Sequence, residues 1–321
     1  MIRTPSGESP PFEAAGPQLP AQTEHWPMAP YPFNPFKHNP VVAALALQFL
    51  KLRTRRLEKL IFTATTGRSG TLTLAKVFSA VAGCIAVHEA HPVMHGPVLK
   101  AASYGDRALV DRVYRQVKSL NILRTAAGHR YYLESNHQFI KTFIQNANED
   151  FGERLAVIHL VRPALEVATS IYCLGDYPGT ERGNYWWLEY QAPANLIPIA
   201  DILDSSGEFS HPFYKALWYW HEVEARISQW RATLPMLKFV RFETDWFNDA
   251  NKVFGLLDEL DVRYERPPIE AQIGNRAHTK EHQKIGVALP AEQAQDMASR
   301  FAELLGSLDL PRHAMPGAAR Y

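Results

Sequence analysis

The sequence predicts an α/β fold, a parallel β-sheet flanked by helices on both faces. Three observations predict it. Short β-rich runs alternate with segments of helical periodicity along most of the chain. One run, Leu155–Val161, is apolar throughout except for His159, the pattern of a strand buried on both faces. Another run, Lys59–Ala64, passes straight into a helix through a glycine-containing turn, the junction from which right-handed strand–helix–strand units are built.

The elements follow in order. Residues 1–40 carry ten of the 23 prolines, a density that blocks helix and sheet ladders alike. They read as a Pro-rich N-terminal arm, partly disordered, ahead of an α/β domain over 41–321. Trp26, Tyr31, Phe33 and Phe36 suggest that the end of the arm docks on a surface. Val41–Leu50 is an apolar run about half as long as the ~20 residues a membrane-spanning helix needs, and Lys51, Arg53, Arg55 and Arg56 follow it. It is expected to pack on the domain as a helix, so no transmembrane segment is expected. Thr71–Val81 reads as the helix after the first strand, with an apolar face of Leu72, Leu74, Val77, Phe78 and Val81. Strands are expected at Cys84–Val87, Tyr131–Leu133 and Leu237–Phe242. Helices are expected at Leu165–Leu174, Pro212–Leu234, Asn251–Leu260 and Ala291–Leu305. In such a sheet, ligands bind at the carboxyl ends of the strands.

Composition narrows the function classes. Hydrophobic residues make up 46% and charged residues 21%, which suits a globular protein, and the net charge of +1 suggests no affinity for nucleic acid. The two cysteines, Cys84 and Cys173, form no Cys-x-x-Cys pair and are expected as buried free thiols in a reducing compartment. With no signal-like N-terminus, the chain is expected to be cytoplasmic.

The turn Thr65-Thr66-Gly67-Arg68-Ser69-Gly70-Thr71 suits an anion. Glycine permits positive φ and close backbone approach, the helix start offers N–H groups and a positive dipole end, and Arg68 adds a forked donor. No lysine follows Gly70, so the turn fails the nucleotide-triphosphatase pattern. Thr65 through Leu74 instead resembles the 5′-phosphosulfate loop of the sulfotransferases that use 3′-phosphoadenosine 5′-phosphosulfate (PAPS), with Arg68 where many members have lysine. Val157 through Ser170 resembles the family's second signature, a strand ending in arginine with a serine eight residues on. Arg162 and Ser170 stand at those positions, and Pro163 lies one residue earlier than the family's proline.

The resemblance implies a P-loop NTPase-like sulfotransferase fold and an enzyme moving a sulfuryl group from PAPS to a hydroxyl or amine, without a metal. It implies that Arg68, Ser69, Gly70 and Thr71 hold the 5′-phosphosulfate, with Thr66, Gly67 and Leu72 completing the loop. Arg162 and Ser170 are then expected to hold the 3′-phosphate, and Arg276, with Lys280, to lie in a late basic loop against it. Arg68 also counts as catalytic, stabilising charge on the moving group.

For the general base two places stay open. Glu89 follows the second strand, where the carbohydrate and tyrosyl-protein branches carry a glutamate, and His88 is placed to orient it or act itself. His137, after the third strand, stands where cytosolic members carry their histidine, but Ser135 replaces the lysine before it. Glu134 is a weaker candidate. His88 and His91 are one residue short of the His-Glu-x-x-His spacing; His91 and His95 stand at i, i+4, but with no cysteine or further ligand nearby no metal is expected. Gly175–Trp187 is expected to form an acceptor-side lid, and Trp218, Tyr219 and Trp220 to belong to the core. The alternatives are an atypical P-loop kinase, which needs a magnesium carboxylate where Arg162 stands, and a non-catalytic nucleotide-binding module. The acceptor, small molecule or carbohydrate, and the oligomeric state stay open.

Overall fold

The alternating strand and helix signals resolve, in a computed structural model that describes residues 39–275 and 289–310, into one layered domain. Among the described residues, five strands form a single all-parallel sheet: β1 (Lys59–Ala64), β2 (Cys84–His88), β3 (Tyr131–Ser135), β4 (Leu155–Val161) and β5 (Lys238–Glu243), in the order β2-β3-β1-β4-β5. The first helices are α1 (Pro40–Arg53), α2 (Thr71–Ser79), α3 (Pro97–Ser103), α4 (Arg107–Val113) and α5 (Ser119–Ala126), with a π-helical turn at Tyr114–Lys118 joining α4 to α5. Between β3 and β5 lie α6 (Phe139–Thr142), α7 (Ile144–Phe151), α8 (Ala164–Cys173), α9 (Glu181–Trp186), α10 (Ala200–Asp204) and α11 (Pro212–Thr233). After β5 come α12 (Ala250–Glu259), α13 (Arg266–Glu270) and α14 (Ala291–Ser307).

Side chains on a strand alternate between faces, so a strand buried on both sides must be apolar throughout. β1 and β4 show the rule. Leu60, Phe62, Leu155 and Val157 join one core, while Ile61, Ala156 and Ile158 join the other. α2 covers the second face with Leu74, Val77 and Phe78, and α12 adds Val253, Phe254 and Leu257. The first face lies under α6, α7, α8 and α11. β1 is central: Ile61 stands beside Leu133 of β3 and Ala156 of β4. The carboxyl ends of β1 and β4 are therefore neighbours, and the two segments singled out by sequence emerge side by side.

Boundaries differ from the sequence expectation by a residue or two at most of these elements. α2 stops at Ser79, before Val81, as the chain tightens at Ala80 toward the left-handed Gly83. β3 runs on to Ser135 because β2 pairs with it as far as His88. Residues 97–103 and 107–126, for which no element is expected above, are helical as α3, α4, the π turn and α5. α1 packs Ala43 and Leu50 against the domain and leaves Val41, Val42, Leu45, Phe49 and Leu52 exposed. Among the described residues no helix is long and apolar enough to cross a membrane. Both cysteines are free, but half-buried where full burial was expected, and burial pushes the Cys84 thiol up to about 12. The Pro-rich arm lies outside the described residues, except for its last two.

The sheet's anchor on the first face is aromatic. Phe62 is fully buried, stacked on Phe139 at 4.7 Å and edge-on to Phe143 at 5.8 Å. Phe62→Ala should cost about 3–5 kcal/mol of unfolding free energy, read from urea denaturation, because the three rings cannot close over the hole.

Candidate active site

Where the strands end, their loops enclose a cavity of about 660 Å³, lined among others by Gly67, Arg68, Thr71, Leu72, Glu89, His137, Arg162 and Ser170. The first wall is the turn between β1 and α2. Gly67, Arg68 and Gly70 all have positive φ, at 82°, 57° and 79°, which aims the backbone inward. A Cβ on Gly67 would lie 3.2 Å from Trp187 and 3.3 Å from His137, so the turn is pressed against the opposite wall. Gly70 opens α2 without a side-chain cap, and the first helical bond is Leu74 N–H to Gly70 O at 3.0 Å. The N–H groups of Thr71 and Leu72 thus have no carbonyl behind them in the helix. The hydroxyls of Thr66 and Ser69, which do not line the cavity, turn into the loop itself: each donates to Gly67 O, at 2.8 and 2.9 Å, and the two lie 3.1 Å apart. They shape the turn, and Ser69 is fully buried.

The second wall starts at the end of β4. Arg162 Nη1 donates to Arg68 O at 2.8 Å, and Arg162 Nε reaches Glu166 at 2.8 Å. Arg68 Nε donates to Ser170 Oγ of α8 at 3.0 Å. Residues about a hundred positions apart in sequence are thus bonded across the crevice. Burial and the nearby Arg162 guanidinium draw the Arg68 pKa below its ordinary value. Two cations held this close favour an anion between them.

Neutral bonds from behind hold both loops in place. Tyr219 Oη of α11 donates to Thr66 O at 2.7 Å, and Trp220 Nε1 donates to Arg162 O at 2.9 Å. Thr244 Oγ1, just after β5, lies 2.9 Å from Val161 O and 3.1 Å from Ser69 O. The aromatic helix belongs to the core as expected, and its polar tips also brace the site. Sequence reading gave no hint of this second role.

The candidate bases face each other. His137 Nε2 lies 3.4 Å from Glu89 Oε1; His137 is 4% exposed and Glu89 27%. Glu89 has φ 47° and is held at the strand edge by its N–H bond to Ser135 O at 3.2 Å. Burial raises the Glu89 pKa and the Glu134 charge adds to this, while His88, Lys141 and Lys118 pull the other way. Burial, with Lys141 next, holds the His137 pKa well below its ordinary value. His88 Nδ1 bonds the carbonyl and hydroxyl of Ser135, both at 3.0 Å, so Ser135 serves the neighbouring strand.

Glu134 is excluded from the cavity. It is fully buried and bonds Lys118 at 2.5 Å, Tyr132 Oη at 2.7 Å and Asn136 Nδ2 at 2.8 Å. Lys118, at the end of the π turn, also donates to Ala90 O at 2.7 Å and so pins the loop that carries Glu89. Trp186, Trp187, Asp176 and Arg182 of the Gly175–Trp187 segment form the far wall. His95 packs between Tyr185 and Trp186 at 4.6 and 4.4 Å. No group of three or more potential metal ligands occurs among the described residues. Gly274 and Asn275 reach the rim; Arg276 and Lys280 lie outside the described residues.

No family model and no curated protein sequence matches the chain. Among solved structures it is similar to the sulfotransferase domain from the curacin biosynthetic pathway, at 17% identity and a TM-score of 0.44 over 80% of this chain and 100% of that one. It is similar also to the sulfotransferase domain from the Synechococcus PCC 7002 olefin synthase, at 15% identity and a TM-score of 0.41 over 79% of this chain and 95% of that one.

The buried pair beneath Glu89 gives a test of the frame. Lys118→Met alone strands the Glu134 charge and should cost roughly 3–5 kcal/mol in chemical denaturation. Lys118→Met with Glu134→Gln should recover most of that loss, since no buried charge is then left unpaired.

Proposed function

We propose that this chain is a sulfotransferase that moves a sulfuryl group from PAPS to a hydroxyl or amine of an acceptor bound on the Trp186–Trp187 side. One observation carries the reading. The two segments that resemble the cofactor signatures, far apart in sequence, are bonded to each other through Arg68–Ser170 and Arg162–Arg68 O across one cavity. The residues fit an anionic donor. Two arginines converge, the start of α2 faces the same space, and the left-handed glycines let the backbone approach.

When bound, the donor supplies an activated sulfuryl group and a phosphate leaving group. The residues of this chain do the rest. Arg68, with the N–H groups at the start of α2, stabilises charge on the moving group and leaving oxygen. Arg162 and Ser170 take the second phosphate. Glu89 and His137 form the acid–base pair beside the acceptor, and the tryptophans keep water from the transfer.

Calorimetric titration with adenosine 3′,5′-bisphosphate, beside ATP with magnesium, tests the reading. The bisphosphate should bind without metal, and Arg162→Ala should weaken it by roughly 2–5 kcal/mol, the loss expected when one partner of a charged contact is removed. Binding of ATP with magnesium alone would put a kinase first, and binding of neither would reject a nucleotide-dependent transferase.

Glu89 gives a second test. A base works deprotonated, so transfer should rise with pH through a midpoint above the usual carboxylate range. Glu89→Gln should lower kcat by about 10²–10⁴-fold. The stability effect has the opposite sign. A carboxyl whose pKa is raised on folding binds its proton more tightly when folded, so the wild type loses stability as pH rises through the folded value. The melting temperature of Glu89→Gln should therefore exceed that of the wild type, by a margin that widens from acid to neutral pH.

A further inference from the structure

Lys141 lies in α6, one helical turn beyond His137, and is 4% exposed. Its Nζ is 2.8 Å from His137 Nδ1, 2.9 Å from Tyr219 Oη and 3.5 Å from Trp186 O. The direction of each bond follows from its far end. Thr66 O is a carbonyl and only accepts, so the Tyr219 hydroxyl donates its one proton there, at 2.7 Å. The Tyr219 oxygen then accepts from Lys141. Trp186 O also only accepts. An ammonium has three donors, and the third meets His137 Nδ1.

A neutral imidazole that accepts at Nδ1 carries its proton at Nε2. That nitrogen lies 3.4 Å from Glu89 Oε1, an acceptor when ionised. Gln138 Nε2 is also 3.4 Å from it; one of its two N–H groups goes to Trp186 O at 2.9 Å, and the other could donate to Nε2 only if the ring accepted at both nitrogens, which a neutral imidazole already accepting from Lys141 at Nδ1 cannot do. Moving the proton from Lys141 to the ring leaves Nε2 protonated as well. With one positive charge shared by the pair, His137 therefore presents a donor to Glu89 in both arrangements.

We infer that Lys141 is a positioning residue that fixes His137 as a hydrogen-bond donor at Nε2, which leaves the Glu89 carboxylate as the group that takes the acceptor's proton. The inference rests on the transferase reading above for its consequence, but not for its geometry. The charges around the pair agree with it. Glu89, His88 and His95 surround His137; Glu89 and Arg226 act on Lys141; Lys118 and Glu134 act on Glu89 from beneath. Burial holds both Lys141 and His137 well below their ordinary values, which opposes a second positive charge in the pocket, while the Glu89 charge works against burial to keep the first one on Lys141. The Lys141 cation also has the faces of Tyr219 and Trp187 at 5.3 and 5.7 Å.

The test is long-range proton–nitrogen correlation spectroscopy on the full chain, labelled with ¹⁵N in the histidine rings, at neutral pH. The His137 signals are assigned by their loss in His137→Asn. The wild type should show His137 with a protonated Nε2. Lys141→Met, of similar length but without a donor, should lose that single state and give a mixture or the Nδ1-protonated form. An unprotonated Nε2 in the wild type would overturn the inference, as would an unchanged ring state in a folded Lys141→Met. Should that variant fail to fold, the wild-type spectrum decides alone. No donor or acceptor is needed, so failure to bind the bisphosphate would sink the transferase reading while leaving the ring assignment to stand or fall separately.

Discussion

The bond from Arg162 Nη1 to Arg68 O is the contact on which the rest of the site depends. It joins the loop after β1 to the loop after β4 at the centre of the sheet, and it brings one guanidinium against the backbone that carries another. Such an arrangement is electrostatically unfavourable by itself; the Arg68 pKa is lowered first by burial and then by this repulsion. It holds because the restraints on the loops are neutral. Tyr219, Trp220 and Thr244 each bond a loop carbonyl from the core side. The cost of placing two cations together is thus met during folding, and an anion entering the crevice meets charge already in position. Preorganised charge of this kind does not have to reorganise when a reaction occurs.

Behind the crevice a second, fully buried polar layer orients the side that carries Glu89 and His137. Glu134 is saturated by Lys118, Tyr132 and Asn136, and Lys118 extends to the Ala90 carbonyl. A buried ion pair adds little net stability over apolar packing, because desolvation offsets most of the attraction. Its value here is geometric. It fixes the strand ends from which Glu89 and His137 project, and it does so from the π turn, which supplies Lys118 at a phase that a regular helix would not.

Much of this was legible in the sequence, and the reason lies in its locality. The strand order of apolar runs, the glycine turn, Arg162 at a strand end and Ser170 two turns into the next helix are all short-range signals. The frame is different. Lys118, Lys141, Tyr219 and Thr244 act through partners far off in the chain, and each looks ordinary alone. Lys141 left one trace, its i, i+4 spacing from His137. Glu134, the weaker candidate for the base, proved to be saturated and sealed because its strand continued two residues further than the pattern suggested. The half-buried cysteines show the converse error, in which an apolar run was read as full burial.

Two non-glycine residues of the crevice, Arg68 and Glu89, sit in left-handed backbone at φ 57° and 47°. Neither has the short polar side chain that eases this conformation. Both also carry a charge that is uncomfortable where it stands: a buried cation beside a second cation, and a carboxylate with its pKa raised by burial. Strain and unfavourable charge coincide at the same two positions, and the surrounding bonds over-determine both. That coincidence is expected where backbone strain serves to aim a functional group. A chain optimised for stability alone would place glycine at 68 and 89, relieving both conformations. It would thereby remove two of the charged side chains that line the crevice.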